Sequence, residues 1–148
     1  METKIQKEHI DYGFGFPVRL RNVPMVKVRG AWTPKVDYNL LTRAVLCALA
    51  YKPSRLTGHE VRFIRSHFEM TLQAFSKRFC VTHVAVLKWE KSKDNLTLMN
   101  WTTEKDIRLF VLSKLSKASS ELAKLYFVLE ELPNEKPTAV HVDLQDAA

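Results

Sequence analysis

The sequence predicts a mainly α-helical fold that begins with a small β-hairpin. Three observations support this prediction. The 148 residues are 46% apolar, which is enough to build a real core. Residues 17–36 alternate apolar with basic side chains, at the period of two that is typical of strands. From residue 37 onward, apolar residues recur at helical spacing behind Asp and Thr residues that can cap helices.

The N-terminal module is predicted to be a hairpin followed by a helix, over residues 1–54. The two strands are residues 16–23 and 25–32, with Pro24 in the turn. Five Lys or Arg and no acidic residue lie in residues 17–36, so one face of this hairpin should be cationic. Asp37 is the expected N-cap of the helix. The apolar face of this helix is expected to consist of Leu40, Leu41, Ala44, Val45, Ala48 and Leu49.

Three short helices are predicted to follow. Thr57 and Glu60 have the spacing of a capping box for the first, Thr71 can cap the second and Thr82 the third. A turn of three to four residues between the last two is the layout of a helix-turn-helix. The residues expected to face the core are Val61, Ile64, Phe68, Phe75, Phe79, Val81, Val86 and Trp89.

Residues 70–93 read MTLQAFSKRFCVTHVAVLKWEKSK and resemble the phage-repressor-type, or XRE-type, helix-turn-helix family, whose pattern is roughly LTQxELAxxLGVSxxxISxWExGK. The resemblance implies a five-helix DNA-binding domain, which we assign to residues 55–116. It also implies an ion pair between Arg65 and Glu90. Cys80 stands where the family commonly has Gly, so we expect a left-handed backbone there.

One face of the third helix is predicted to point away from the core and to contact DNA. The predicted base contacts are His83, Val84 and Lys88: Lys88 can donate to guanine, His83 can bond a base acceptor, and Val84 can touch a thymine methyl. Leu87 is interpreted as a packing residue against a partner subunit. The predicted phosphate contacts, which position the protein without specifying sequence, are Thr71, Gln73, Thr82, Lys91, Ser92 and Lys93. The simpler interpretation of His83 and of Lys88 is an ordinary surface residue.

The C-terminal part has apolar residues at heptad spacing, which we call the seam. They are predicted to lie in one long helix that begins at Thr103, or in two helices with a break near residues 116–120. The seam consists of Val111, Leu115, Ala118, Leu122, Leu125, Leu129 and Leu132. It can pack on its own domain or form a homodimer. We favour a homodimer because a single recognition helix usually needs a two-fold partner. The dimer contacts would be Leu115, Leu122, Leu125 and Leu129. Residues 117–148 are assigned to this helix and an acidic tail, in which residues 138–144 can form a short strand.

The resemblance implies a sequence-specific transcriptional regulator, a dimeric repressor that binds double-stranded DNA. The overall layout also resembles the MqsA or YgiT group of antitoxins, which implies the antitoxin of a toxin-antitoxin pair. The acidic tail would then match a basic toxin, but the Cys-x-x-Cys pairs of that group's zinc ribbon are absent. The alternative is a protein-protein interaction module that keeps the helix-turn-helix as a scaffold. The lysines at positions 88, 91 and 93 favour DNA.

Several other classes of protein are not expected. No run of about 18 apolar residues is present and the first ten residues are charged, so we expect a cytoplasmic protein without a membrane partner. Cys47 and Cys80 are too few for a disulfide framework or a Cys-rich zinc site. The five His lack metal-ligand spacing, and no nucleophile is paired with a base. Gly13 and Gly15 are interpreted as a flexible turn, so neither an enzyme nor a cofactor is expected.

Overall fold

The computed structural model describes residues 1–115 and 121–130, and about half of these residues are helical. The strands are β1 (Thr3–Asp11), β2 (Val18–Val28) and β3 (Ala31–Pro34). The helices are α1 (Tyr38–Ala50), α2 (Gly58–His67), α3 (Leu72–Arg78), α4 (His83–Lys91), α5 (Trp101–Leu115) and α6 (Glu121–Glu130). The chain divides into two compact units, Met1–Lys117 and Ala118–Ala148. The predicted division at residue 54 therefore falls inside the first unit.

The three strands form one antiparallel sheet in the order β1-β2-β3. The predicted two-stranded hairpin with Pro24 in its turn is wrong, because residues 18–28 form one continuous strand. The turn between β2 and β3 lies instead at Arg29 and Gly30, with φ angles of 50° and 80°. Two positive φ angles in a two-residue connection are typical of the turn that matches the twist of a hairpin.

Pro24 is accepted in the central strand because of where β3 ends. β3 pairs with β2 only from Met25 to Val28, so Pro24 lies just beyond this ladder. Its carbonyl accepts a hydrogen bond from the Lys35 amide at 2.7 Å, which shows that its polar edge faces the β3 side. The missing N–H therefore removes one bond at the very end of the β3 ladder and none of the pairing with β1.

The sheet is anchored to α2 through the connection between β1 and β2, residues 12–17. The ring centroids of Phe14 and Phe16 lie 5.5 and 5.4 Å from that of Phe63, in edge-on arrangements. Gly15 has a φ of 94°, which a residue with a side chain rarely adopts. The expected turn is present, and its aromatic side chains attach the sheet to the helices.

Helix α1 begins where the sequence predicts, but a different face is buried. The Asp37 carboxylate accepts hydrogen bonds from the backbone amides of Asn39 and Leu40 at 2.9 and 3.4 Å, which confirms the N-cap. The predicted apolar face is wrong for Leu40, which is 67% exposed, and for Ala44 and Ala48, which are also exposed. The buried residues are Val45, Leu46, Leu49 and Ala50. The helix is rotated about its axis relative to the predicted orientation because it packs on α5. Its outer side lines a groove of about 310 Å³ beside β2.

Helices α2 to α5 form the main core. The capping box of Thr57 and Glu60 is confirmed, and so are the caps at Thr71 and Thr82. The buried apolar side chains from α2 to α4 are Val61, Ile64, Phe75, Phe79, Val86 and Trp89. Phe110 of α5 closes this core, with its ring centroid 5.4 Å from that of Phe79. Helix α5 begins two residues before the predicted Thr103, because the Asn100 side chain accepts from the Thr102 amide at 2.8 Å.

Candidate nucleic-acid interface

Helices α3 and α4 are joined by a four-residue connection, residues 79–82. The Thr71 and Thr82 hydroxyls accept from the amides of Ala74 and Ala85 at 3.0 and 3.1 Å, so each helix has a fixed start. Cys80 has a φ of 56°, the left-handed conformation expected where the related pattern has Gly. The connection therefore sets α4 against α3 with a defined geometry.

Helix α4 separates into a buried face and an outer face. Val86 and Trp89 are buried, as predicted. His83, Val84, Leu87 and Lys88 are all exposed, and we call these four the outer face of α4. Val84 exposes 61% of its surface although it is apolar. The three predicted base contacts therefore lie together on one accessible helix surface.

An ion pair ties the end of α4 to α2. The Arg65 guanidinium donates to the Glu90 carboxylate through Nε at 2.9 Å and Nη2 at 2.8 Å. Nη1 of Arg65 also donates to the Met70 carbonyl at 3.0 Å, just before α3. This pair, implied by the family resemblance, is present. One side chain thus bridges α2, the start of α3 and the end of α4, and this fixes the direction of the outer face.

The predicted phosphate contacts fall into two groups. Thr71, Gln73, Thr82, Lys91 and Lys93 are exposed. Ser92 is different: it is half-buried, and its hydroxyl donates to the Trp89 carbonyl at 2.6 Å. The Ser92 hydroxyl has a single proton, and it is donated to a backbone carbonyl of the same chain. Ser92 therefore has a structural role at the end of α4. The exposed cations Lys88, Lys91 and Lys93 are the charges that can face a polyanion here.

Gly58, at the first position of α2, was not identified from the sequence. A Cβ atom at this position would lie 2.4 Å from the Trp89 carbonyl oxygen, 2.6 Å from Ser92 Oγ and 2.7 Å from the Lys93 amide nitrogen. The start of α2 therefore touches the end of α4 at backbone distance. No pattern in the sequence signals this contact, because the two segments are 31 or more residues apart.

A buried ionic network centred on Glu104 was also not identified from the sequence. Glu104 is completely buried, and its carboxylate accepts from Arg55 Nε at 3.0 Å, Arg108 Nη2 at 2.8 Å and the Leu56 amide at 3.2 Å. Arg108 in turn donates to backbone carbonyls of residues 50, 52 and 54. The network links α5 to the end of α1 and to the segment before α2. It joins these three parts of the chain through one buried carboxylate.

The predicted dimer seam is only partly described. Val111 is fully buried in the first unit, so this member of the seam packs on its own domain. Leu115 is half-buried and Leu129 is 52% exposed. Ala118, Leu132 and the side chains of Leu122 and Leu125 lie outside the described residues, and so does the predicted strand at residues 138–144.

The described residues also contain a His–Asp pair and two free cysteines. Within residues 1–115 and 121–130, no three His, Cys, Asp or Glu side chains are grouped so that they could hold a metal ion. His59 Nδ1 lies 3.0 Å from Asp94 Oδ1 beside an open pocket of about 570 Å³ at the start of α2. Cys47 and Cys80 are free and exposed. None of the helices described is long and apolar enough to cross a bilayer.

Comparison with known proteins finds no relative. No protein-family model matches the chain, and no match was found among curated proteins or among solved structures.

Proposed function

We propose that this protein binds double-stranded DNA in a sequence-dependent manner through the outer face of α4, and that it acts as a transcriptional regulator. The observation that carries the proposal is the combination found on one helix. His83, Val84 and Lys88 are exposed together, while Val86 and Trp89 bury the opposite side. A rigid helix with exposed donors and a methyl-bearing side chain is suited to a major groove.

The charge distribution supports DNA as the partner. Lys88, Lys91 and Lys93 occur within six residues. Glu90 lies between them, but its carboxylate is paired with Arg65. Lys91 and Lys93 lie at the end of α4, where a phosphate backbone would flank a helix held in the groove. Cations at this place would position the protein on the duplex, and the side chains on the outer face would read the bases.

A protein-protein interaction module is the second candidate. It is favoured by the apolar part of the outer face, because Val84 and Leu87 are both exposed. In that case substitution of Val84 would weaken the complex, and substitution of Lys88 would have little effect. For DNA binding, Lys88 should matter at least as much as Val84, since a bidentate contact to guanine is worth about 1–3 kcal/mol of discrimination.

The experiment that tests the proposal is selection from a pool of random duplexes at about 200 mM salt, a concentration at which non-specific binding is strongly reduced. The DNA upstream of the protein's own gene is added as a separate candidate. We expect one sequence motif to be enriched over successive rounds. Recovery of an unbiased pool, with retention that fades as salt rises, would contradict the proposal, because a protein of net charge +7 binds any polyanion at low salt.

A further inference from the structure

Two neighbouring hollows lie between the sheet and the helices. The first is the groove of about 310 Å³ between β2 and α1, and the second is the open pocket of about 570 Å³ at the start of α2. They share part of their walls, namely Phe16, Pro17, Lys52 and Glu60. We call the groove and the pocket together the cleft. Each volume lies in the range of roughly 300–1,000 Å³ that is typical of small-molecule sites, and the shared walls let one molecule reach into both.

The groove is the apolar end of the cleft. Its walls are mainly aliphatic side chains of β2 and α1: Val18, Leu20, Leu41, Val45 and Leu49. Ala44 and Ala48 lie one helical turn apart on the exposed side of α1, and their small side chains leave the groove open. Aliphatic walls around such a space favour an occupant that removes its own apolar surface from water. The body of a ligand in the groove should therefore be aliphatic or aromatic.

The pocket is the polar end of the cleft. His59 Nδ1 lies 3.0 Å from Asp94 Oδ1, and this carboxylate favours the tautomer that carries its proton on Nδ1. Nε2 of the ring is then an acceptor, and none of the described residues donates a hydrogen bond to it. Lys52 Nζ donates to both carboxylate oxygens of Glu60 at 2.7 Å, which leaves the third proton of the ammonium group. This end can therefore accept one hydrogen bond through His59 and donate one through Lys52.

The charges of the cleft favour a head group without net charge. The Lys52 ammonium is already paired with Glu60 at 2.7 Å. Arg19, which lines the groove, is paired with Glu8 at 2.8 Å. An anionic head would therefore meet no unpaired cation among the described lining residues, and it would be repelled by the Asp94 carboxylate. A cationic head would gain little, because the Asp94 side chain is 78% exposed and exposed ion pairs are weak.

We propose that the cleft binds a neutral amphipathic small molecule, with an aliphatic or aromatic body in the groove and a carboxamide head in the pocket. A carboxamide combines an N–H donor, which His59 Nε2 can accept, with a carbonyl, which can accept from Lys52. A protein segment suits the cleft less well. Protein contacts spread over about 800 Å² of each partner, whereas the groove and the pocket are concave spaces of small-molecule size.

The pocket adjoins the segment that follows α4. Asp94 belongs to this segment, and the His59 amide donates to the Lys93 carbonyl at 2.9 Å. A bound molecule would therefore contact residues next to one of the cations assigned to DNA. Its role as an effector rests on the proposed function, because a change in the position of Lys93 would alter the affinity for DNA only if Lys93 contacts a phosphate. Binding of the molecule itself does not depend on DNA.

Titration of the full chain with octanamide, followed through its backbone amide signals in two-dimensional NMR spectra, tests the site without DNA. Octanoate and octylammonium have the same chain length with charged heads. Octanamide should cause saturable shifts centred on the residues of the cleft, with a dissociation constant of about 1–10 mM for its roughly ten non-hydrogen atoms. Each charged molecule should bind at least about threefold more weakly, because its charge finds no well-placed partner.

Two variants test the two ends of the cleft separately. Ala48→Leu fills the groove and should weaken the binding of octanamide at least about tenfold. Ala74→Leu makes the same change at an exposed position of α3, outside the cleft, and should bind octanamide like the natural protein. His59→Phe keeps a planar ring and removes the acceptor nitrogen. It should weaken octanamide about threefold and leave octanoate unchanged.

Four results would overturn the inference. The first is the absence of saturable shifts up to about 10 mM octanamide. The second is binding that Ala48→Leu does not weaken, which would indicate adsorption outside the groove. The third is octanoate or octylammonium that binds as well as octanamide, which would contradict the neutral head. The fourth is a shift of the cleft residues when the protein alone is concentrated, which would make a second copy the occupant. Because no DNA is present, failure of this inference leaves the proposed DNA binding intact, and failure to find a DNA motif leaves ligand binding standing.

Discussion

The contact between Gly58 and the end of α4 can be tested by adding one methyl group. In Gly58→Ala the new carbon would lie 2.4 Å from the Trp89 carbonyl oxygen and 2.7 Å from the Lys93 amide nitrogen. Both are backbone atoms, so neither can turn away. Ser92 Oγ, at 2.6 Å, belongs to a side chain but is held by its hydrogen bond to the Trp89 carbonyl. The start of α2 and the end of α4 must therefore move apart.

The expected cost follows from two opposing terms. Overpacking in a well-filled site costs about 1–3 kcal/mol. Alanine is the better helix former by up to about 1 kcal/mol in a helix interior, but Gly58 is the first residue of α2, where that gain is smaller. The free energy of unfolding should fall by about 1–2 kcal/mol, which for a unit of this size lowers the melting temperature by roughly 3–10 °C.

Urea denaturation followed by circular dichroism measures this difference. Ser66→Ala, at an exposed position of the same helix, is the control and should change stability by less than about 0.5 kcal/mol. Gly58→Ala combined with Ser92→Gly should recover only part of the loss, because the two backbone contacts remain. A Gly58→Ala variant as stable as the natural protein would refute the reasoning and would mean that α2 and α4 are separated by more space than the structure shows.

Two further predictions concern stability and use the same denaturation assay. Cys80→Gly should raise the free energy of unfolding by about 0.5–1 kcal/mol, because glycine adopts a φ of 56° without strain. Cys80→Ala, which removes the thiol and keeps the strain, should give no such gain; equal stabilisation by both would contradict the backbone argument. Glu104→Gln should cost about 3–5 kcal/mol, since it leaves Arg55 and Arg108 without their buried counter-charge. Its control is Glu8→Gln, which breaks the exposed pair with Arg19 and should cost less than about 1 kcal/mol. A similar loss in both variants would contradict a special role for burial.

The helices around the candidate interface were predictable because their signals are local. The caps at Thr57, Thr71 and Thr82 act within three residues of each helix start, so the sequence contains both partners of each hydrogen bond. The buried positions of α2 to α4 follow the helical period. The left-handed turn at Cys80 was expected from the family resemblance, and the structure has it.

The sheet was harder to predict because its strands lack a clear apolar alternation. No residue of β1 is buried, so its nine residues have the composition of a charged surface segment. In β2 the buried or half-buried residues are Val18 and Leu20 and then Val23, Met25 and Val26. The period of two is thus interrupted at Asn22, which has a φ of 52°. Pro24 then appeared to be a turn residue. Only the pairing with β1 and the short length of β3 explain why it can lie inside a strand.

Contacts between distant segments had no local signal at all. The partners of Glu104 are Arg55 and the Leu56 amide, 48 or more residues away, together with Arg108 on its own helix. In sequence, Glu104 is an ordinary acidic residue in the first turn of a helix. The buried face of α1 likewise depends on the placement of α5, since the predicted and observed faces of this short apolar helix are similar in composition.

The most direct test of the central claim compares Lys88→Ala with Lys93→Ala on a duplex selected by the natural protein and on each of its single-base variants. Lys88 lies on the outer face of α4, and Lys93 follows the end of the helix. Lys88→Ala should lose about 1–3 kcal/mol and relax the preference at one base position. Lys93→Ala should weaken binding to every duplex alike. It should also reduce the slope of log affinity against log salt concentration by about one. If both variants weaken all duplexes to the same extent and no base position changes its preference, the outer face of α4 does not read DNA.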